Sequence, residues 1–408
     1  ACFSPFSIHF HTAIFPAACG LTIVMDRSIM SFANSRMEEN AVPAPDYHQS
    51  IEISRNRRIR ELQAELPDVC ADFFSAISQT TSSLTRLAYA YDLRLFFQYL
   101  CAEQPQFADT DMRLITTEQI GQITARQLRG FQDYLTQYIK PADDEGGELI
   151  VNNHELGIMR KLCALRSFFE YLFKNELIPG NVATLVPLPK RHSKPILYLE
   201  PNEVERLLTI ADQGEGLSKH QQSYQKMTRK RDVAILSLFL GTGIRVSELV
   251  GIDLEDLDFT MNGFLVTRKG GNQTILYFPE SVADALKAYL QERMAIEPLP
   301  GHEKALFLSM QRRRITQRAV ENLVKKYASL AAPLKKKISP HKLRSTFGTS
   351  LYRETGDIYL VADVLGHADV NTTKRHYASM SDQRKREAVK SVVLPVIENE
   401  SKEEPEES

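Results

Sequence analysis

Six side chains in this chain could do chemistry together: Arg245, Lys269, His341, Arg344, His367 and Tyr377, in that order along 408 residues. The last four fall within 37 positions. A guanidinium is a planar fork of donors that matches two phosphate oxygens, and two of them can clamp one phosphate from both sides. An ammonium or an imidazole can manage a proton, and a tyrosine hydroxyl can be a nucleophile. The set suits attack of a tyrosine on a phosphodiester. Singly, each residue has a plainer reading. Arg245 could pair with Glu248, three residues on along a helix face. A lone His-x-x-Arg is common by chance, Lys269 could be an idle turn lysine, and His367 could be a buried, satisfied histidine. Order and number together favour the chemical reading.

Each of the six needs an element to hold it. An apolar stretch, Asp232–Leu240, predicts a helix stopped by Gly241-Thr242-Gly243, with a new helix starting near Arg245. Two short β runs, Phe264–Thr267 and Thr274–Phe278, flank Lys269-Gly270-Gly271-Asn272, so Lys269 sits on a hairpin tip. Ser339 and Pro340 read as the cap and first residue of a helix. That start places His341 and Arg344 on one face. Gly366 suits the left-handed position that ends a helix, so His367 projects from a helix end. Asn371 begins the helix that carries Tyr377. A free tyrosine titrates near ~10, so the surrounding cations are needed to offset charge developing at the phosphate.

The order Arg, Lys, His-x-x-Arg, Gly-His, Tyr resembles the tyrosine recombinase (lambda-integrase-like) family, and within it the Xer-type recombinases and the integrases of bacterial mobile elements. The resemblance covers roughly residues 70–395. It implies that Arg245 and Arg344 clamp the phosphate and that His341 and His367 hydrogen-bond to it. Lys269, matching the family's Lys-Gly pattern better than the adjacent Arg268, would protonate the departing 5′ oxygen. Tyr377 would form a 3′-phosphotyrosine. Because that bond keeps the phosphodiester energy, rejoining requires neither ATP nor metal, and no cofactor is expected. Two departures stand out. The family more often has a second histidine where this chain has Ser345. Its spacing from Gly-His to tyrosine is usually about nine; here His367 to Tyr377 is ten and His376 takes the ninth place. Either the helix start absorbs one residue or the nucleophile geometry differs.

The rest of the chain agrees with two domains. A composition of 43% hydrophobic and 25% charged residues is ordinary for a globular protein. A net charge of −1 argues at first against nucleic acid, but the stretch after Ile397 holds six Glu and one Lys, leaving +4 before it. Basic runs are local, at Lys190-Arg191, Arg229–Arg231, Arg312–Arg314, Lys325-Lys326 and Lys335–Lys337. Each is a phosphate-tracking surface or a solvated helix face. Five scattered cysteines without Cys-x-x-Cys or a Cys/His cluster argue against structural zinc and a disulfide framework and fit a reducing cytoplasm. Residues 1–66 read as a disordered leader and a lead-in helix around 55–66, with a translation start at Met25, Met30 or Met37. No basic stretch precedes the apolar part, which argues against a secretory signal, and no apolar run reaches the ~18 residues of a membrane span.

Apolar positions at three- and four-residue steps, as in Leu84, Leu87, Tyr91 and Leu95, or Phe131, Tyr134, Leu135 and Tyr138, predict four or five helices over residues 67–187. Thr116 and Thr124 signal helix starts, and Pro141 to Gly147 is a loop. The resemblance makes this the helical (SAM-like) core-binding domain, with Arg86, Arg94, Lys161 and Arg166 as candidate phosphate contacts. Residues 188–197 are a basic, proline-stiffened linker, and 198–397 a catalytic domain, mainly helical with a small β-sheet. Residues 212–226 read as loop, and 398–408 as an acidic disordered tail. The fold expected is therefore mainly α, forming a C-shaped clamp on double-stranded DNA. The function expected is site-specific recombination by a homotetramer on two short core sites, a second recombinase or accessory factor being compatible with the sequence. The rivals are a type IB topoisomerase acting as a monomer, a DNA-binding protein with a disabled site, and a helical scaffold.

Overall fold

The computed structural model describes residues 46–108, 110–141, 147–190, 196–268, 271–335, 337–366 and 370. By compactness the chain divides into residues 1–50 and 51–408; apart from the start of the first helix, every element below lies in the second unit.

Its first half carries α1 (Tyr47–Gln63), α2 (Val69–Ala76), α3 (Ser83–Glu103), α4 (Thr117–Gly121), α5 (Ala125–Tyr134) and α6 (Glu155–Lys174). Thr116 and Thr124 cap α4 and α5 as their spacing predicts. Each threonine hydroxyl accepts an amide from a glutamine three residues on, whose side chain accepts in return. The helices bury one continuous core from Leu62 to Val186. Its centre is aromatic: Phe96 meets Phe131 edge to face at 5.1 Å between centroids, and Phe73 meets Phe168 at 5.4 Å.

Two expectations need correction here. The lead-in helix α1 starts at Tyr47, not near 55. Tyr138 does not continue α5. It lies in β1 (Gln137–Pro141), which pairs antiparallel with β2 (Glu148–Asn152), Ile139 opposite Ile150. Tyr138 stacks on Tyr134 at 5.3 Å from the strand, so it satisfies a helical spacing without being helical.

The second half carries α7 (Pro201–Gln213), α8 (Lys219–Thr242), α9 (Val246–Gly251), β3 (Leu257–Asp258), β4 (Gly263–Thr267), β5 (Gln273–Tyr277), α10 (Glu280–Arg293), α11 (Gln317–Ala331), α12 (Pro340–Thr355) and α13 (Ile358–Leu365). The strands form one antiparallel sheet in the order β3-β4-β5. α8 packs against α7, α10 and α12. Residues 212–226, expected as loop, are mostly the first turns of α8. Ser218 and Gln221 cap it reciprocally. Buried Gln225 donates to the carbonyls of Ala211 and Asp212 at 2.7 and 3.0 Å, closing the end of α7. Its polarity serves a helix terminus, which a hydropathy reading takes for solvent. Asp232, also buried, ties α8 to α11 by accepting from Tyr327 Oη at 2.8 Å, and it accepts from Thr228 Oγ1 of its own helix at 3.0 Å. The architecture is thus mainly helical with a small sheet, as expected. No helix among the described residues is long and apolar enough to cross a membrane.

Candidate active site

The site is built on the end of α8. Gly243, at φ +64°, stops that helix in the left-handed region. A Cβ there would also press on Phe347 and Leu365. Ile244 is buried next, and Arg245 becomes the cap residue of α9 with extended backbone. The Arg245 N–H donates to Glu248 Oε2 at 3.0 Å, and its Nη1 donates to Glu248 Oε1 at 2.7 Å. The ordinary pairing with Glu248 is therefore real. It leaves Nη2 free to point elsewhere, and Nη2 donates to the carbonyls of Gly366 at 3.0 Å and Leu365 at 3.5 Å.

Arg344 arrives at the same place from α12. Pro340 opens that helix and Ser339 occupies its cap position, though the serine side chain makes no capping bond. Arg344 is buried. Its Nη1 donates to the Gly243 carbonyl at 2.5 Å, and its Nη2 to the Leu365 carbonyl. Two guanidiniums from separate helices thus converge on one carbonyl oxygen at the C-terminus of α13. Such oxygens carry partial negative charge. A guanidinium fork takes acceptors of this kind in pairs, as it does the oxygens of a carboxylate or phosphate.

His341 lies one turn before Arg344 and is exposed, so this helix buries the arginine while presenting the imidazole outward. Ser345 is buried and donates to the His341 carbonyl at 3.1 Å. It serves the helix backbone, filling the position where the resembled family more often has histidine. Gly366 ends α13 at φ +60°, as the left-handed cap expected. His367, Lys269 and Tyr377 lie outside the described residues, as does the helix expected from Asn371. The structure therefore brings together Arg245 and Arg344, sets His341 one turn from Arg344, and describes Arg268 and Gly366, the residues that precede Lys269 and His367.

The comparisons with known proteins come out together. The phage integrase family matches residues 198–384. A tyrosine recombinase XerC from Caldanaerobacter subterraneus subsp. tengcongensis is 33% identical over 78% of this chain and 84% of its own. The XerC of Thermodesulfovibrio yellowstonii is 32% identical over 72% and 85%. The chain belongs to the tyrosine recombinase family. With the family comes its reaction, site-specific recombination by an enzyme. The fold agrees with two solved recombinases. XerH bound to a palindromic difH substrate in a post-cleavage complex has a TM-score of 0.57 at 20% identity, over 86% of this chain and 98% of that one. The Tn1549 transposon integrase in complex with circular intermediate DNA has a TM-score of 0.53 at 21% identity, over 78% and 98%.

Not every cation of this recombinase is available to a phosphate. Arg166 donates to the carbonyls of Ala183 and Val186 at 3.3 and 2.6 Å, and Lys161 is buried against Asn153. Arg94 pairs with Glu65 at 3.0 Å, and Arg86 donates to Asn56 at 3.2 Å. Within the basic runs, Arg231 is bound to Asp232 and the Leu308 carbonyl, and Arg314 to Asp253 and the carbonyls of Val250 and Ile252. Lys335 holds Glu203 and the Tyr198 carbonyl. These cations hold the fold, which a count of charged residues in a run does not reveal.

Sequence reasoning cast Glu248 only as a rival partner; it is the group that aims Arg245. It weighed Arg268 only as the alternative to Lys269. That side chain donates Nη2 to the Val364 carbonyl at 3.3 Å, so a third guanidinium meets the end of α13. The only sequence signal was its adjacency to Lys269.

Proposed function

We propose that this recombinase cleaves and rejoins double-stranded DNA through a 3′-phosphotyrosine on Tyr377, exchanging strands between two short core sites. Residues 67–187 would be the core-binding domain and 198–397 the catalytic domain. Arg245 and Arg344 would hold the scissile phosphate, with His341 and His367 bonding to its oxygens. Lys269 would protonate the departing 5′ oxygen. The observation that carries this reading is the convergence of Arg245 and Arg344 on the Leu365 carbonyl, one residue before Gly366-His367. An incoming phosphate would replace those carbonyls as acceptor and so meet a clamp that is already formed. Support for DNA as partner comes from the solved relatives, XerH with its difH substrate and the transposon integrase with circular intermediate DNA. Assembly as a homotetramer, and action in the cytoplasm, belong to the same proposal.

A second reading has one observation in its favour. His376, not Tyr377, stands nine residues after His367, which would suit a DNA-binding protein with a disabled nucleophile. Covalent trapping on a nicked suicide duplex separates the two, using random-sequence duplex from which the bound site is first selected. Wild type, Tyr377→Phe and His376→Ala are compared on a denaturing gel. An adduct lost only in Tyr377→Phe is the expected result. Tight DNA binding without an adduct in any of the three would establish the disabled-site reading instead.

A further inference from the structure

The turn between β4 and β5 closes on Arg268. Its N–H donates to the Asn272 carbonyl at 2.7 Å, and its carbonyl accepts from Gly271 at 3.1 Å, with Gly271 at φ +82°. The backbone of Arg268 is thus held at both its N–H and its carbonyl. Its side chain leaves the hairpin and reaches the end of α13. There Nη2 donates to the Val364 carbonyl at 3.3 Å, and a Cβ placed on Gly366 would overlap the guanidinium at Nη1 and Cζ. Gly366 is therefore required twice, for its backbone angle and for the room it leaves Arg268. The Nε of Arg268 is shielded from solvent and meets no acceptor among the described residues. A surface arginine would keep that donor in water. A guanidinium whose Nε gives up hydration while its Nη2 reaches across to another element is acting as a strut.

Lys269 is the next residue, with its Cα only about 3.8 Å away along the chain. The carbonyl end that Arg268 touches is the one that Arg245 and Arg344 share. We propose that Arg268 is a positioning residue for Lys269: it ties the β4–β5 hairpin to the end of α13, so that the lysine is presented to the phosphate held by the two clamp arginines. The proposal rests on the reading of Lys269 as general acid. In that step the Tyr377 hydroxyl gives its proton to a base, for which the His341 imidazole is the candidate, its oxygen bonds to phosphorus, the bond from phosphorus to O5′ breaks, and the lysine proton passes to O5′.

A 5′-bridging phosphorothiolate isolates this role. Its sulfur departs as a thiolate, whose conjugate thiol has a pKa near ~8.5, so no proton is needed. Single-turnover adduct formation is measured with the full chain on matched nicked duplexes carrying 5′ oxygen or 5′ sulfur. The variants are Arg268→Ala, Arg268→Met, which keeps an apolar stem over Gly366, and Lys269→Ala. Loss of general acid catalysis is worth about 10²–10⁴-fold, and Arg268→Ala should lose a tenfold to hundredfold part of it on the oxygen substrate. With sulfur, both Arg268 variants and Lys269→Ala should return to within about threefold of wild type, at unchanged DNA affinity. Arg268 variants equally slow on both substrates, or slow on neither, overturn the proposal. If Lys269→Ala is rescued by sulfur and the Arg268 variants are not, only the Arg268 assignment falls. If Lys269→Ala is not rescued, the general-acid reading falls and takes this proposal with it.

Discussion

At position 245 one guanidinium is held by one partner and aimed at another. Glu248 is buried, and it fixes Nη1 at 2.7 Å while also accepting the Arg245 amide. The fork can then turn only its other edge toward Leu365 and Gly366. Pre-orientation of this kind lets a donor stabilise charge in the transition state without reorganising. Replacing Arg245 by alanine should lower the rate of adduct formation by about 10²–10³-fold, the scale seen when one such donor is removed. DNA affinity should stay within roughly tenfold, because one phosphate contact among several is lost. Gel-trapping rates set beside binding titrations check this, and an unchanged adduct rate would remove Arg245 from the clamp. Arg245 and Arg344 were legible because a glycine turn and a Ser-Pro helix start announce where their side chains emerge. The role of Arg268 was not, because its reason is a tertiary contact with Gly366, nearly 100 residues later in the chain. Glu248 was legible as a partner, while its consequence for the direction of Nη2 needed the position of α13.

Helix ends do much of the positioning in this protein. α8 must stop at Gly243 for Arg245 to turn toward α13, and Gly243 sits against Phe347 Cδ1 and Leu365 Cδ2, where a methyl would approach to 2.5 and 2.9 Å. Gly243→Ala adds a left-handed penalty of about 1–2 kcal/mol to an overpacking cost of about 1–3 kcal/mol. A loss of about 2–5 kcal/mol in unfolding free energy by denaturant titration is expected, together with loss of adduct, since the carbonyl that Arg344 binds is that of the same residue. At the element scale the sequence was readable wherever a cap used a standard pair, as at Thr116 and Thr124. It misled wherever polarity was spent inside the fold, as with Gln225. Polarity is also spent inside the fold by the pair of Asp92 on α3 with Arg160 on α6. Burial holds the Asp92 carboxyl above its usual 3.8, with Arg160 and Lys161 pulling it back only in part. A carboxyl whose folded pKa is raised binds more protons folded than unfolded, so stability falls as pH rises through the window just above 3.8. Asp92→Asn removes that slope. Urea midpoints measured against pH should show the variant gaining on wild type from pH 3.8 upward and then levelling off once Asp92 is ionised; parallel curves would show that burial does not govern this carboxyl.

At the scale of the whole molecule the question is how a chain of net charge −1 serves a reaction on a polyanion. Several of its cations are bound internally. Arg231, Arg314 and Lys335 are committed to internal carboxylates and carbonyls. Attraction to DNA must then come from fewer, local cations, against a background that the last eleven residues make more negative by five charges. Those charges act on an approaching duplex through their sign, within about one Debye length at low salt and much less at high salt. Ending the chain at Ile397 changes the net charge from −1 to +4. The association rate with a duplex should then rise several-fold at about 50 mM salt, where the screening length exceeds about 10 Å, and the gain should vanish by about 0.3 M. The rate of adduct formation in the preformed complex should not change, because none of the residues proposed for the chemistry is removed. Stopped-flow association across a salt series, with single-turnover trapping alongside, separates the two quantities. An association rate indifferent to the truncation at every salt concentration would mean that encounter is governed by the local cation pattern alone. A change in the trapping rate instead would place the acidic segment in the catalytic assembly.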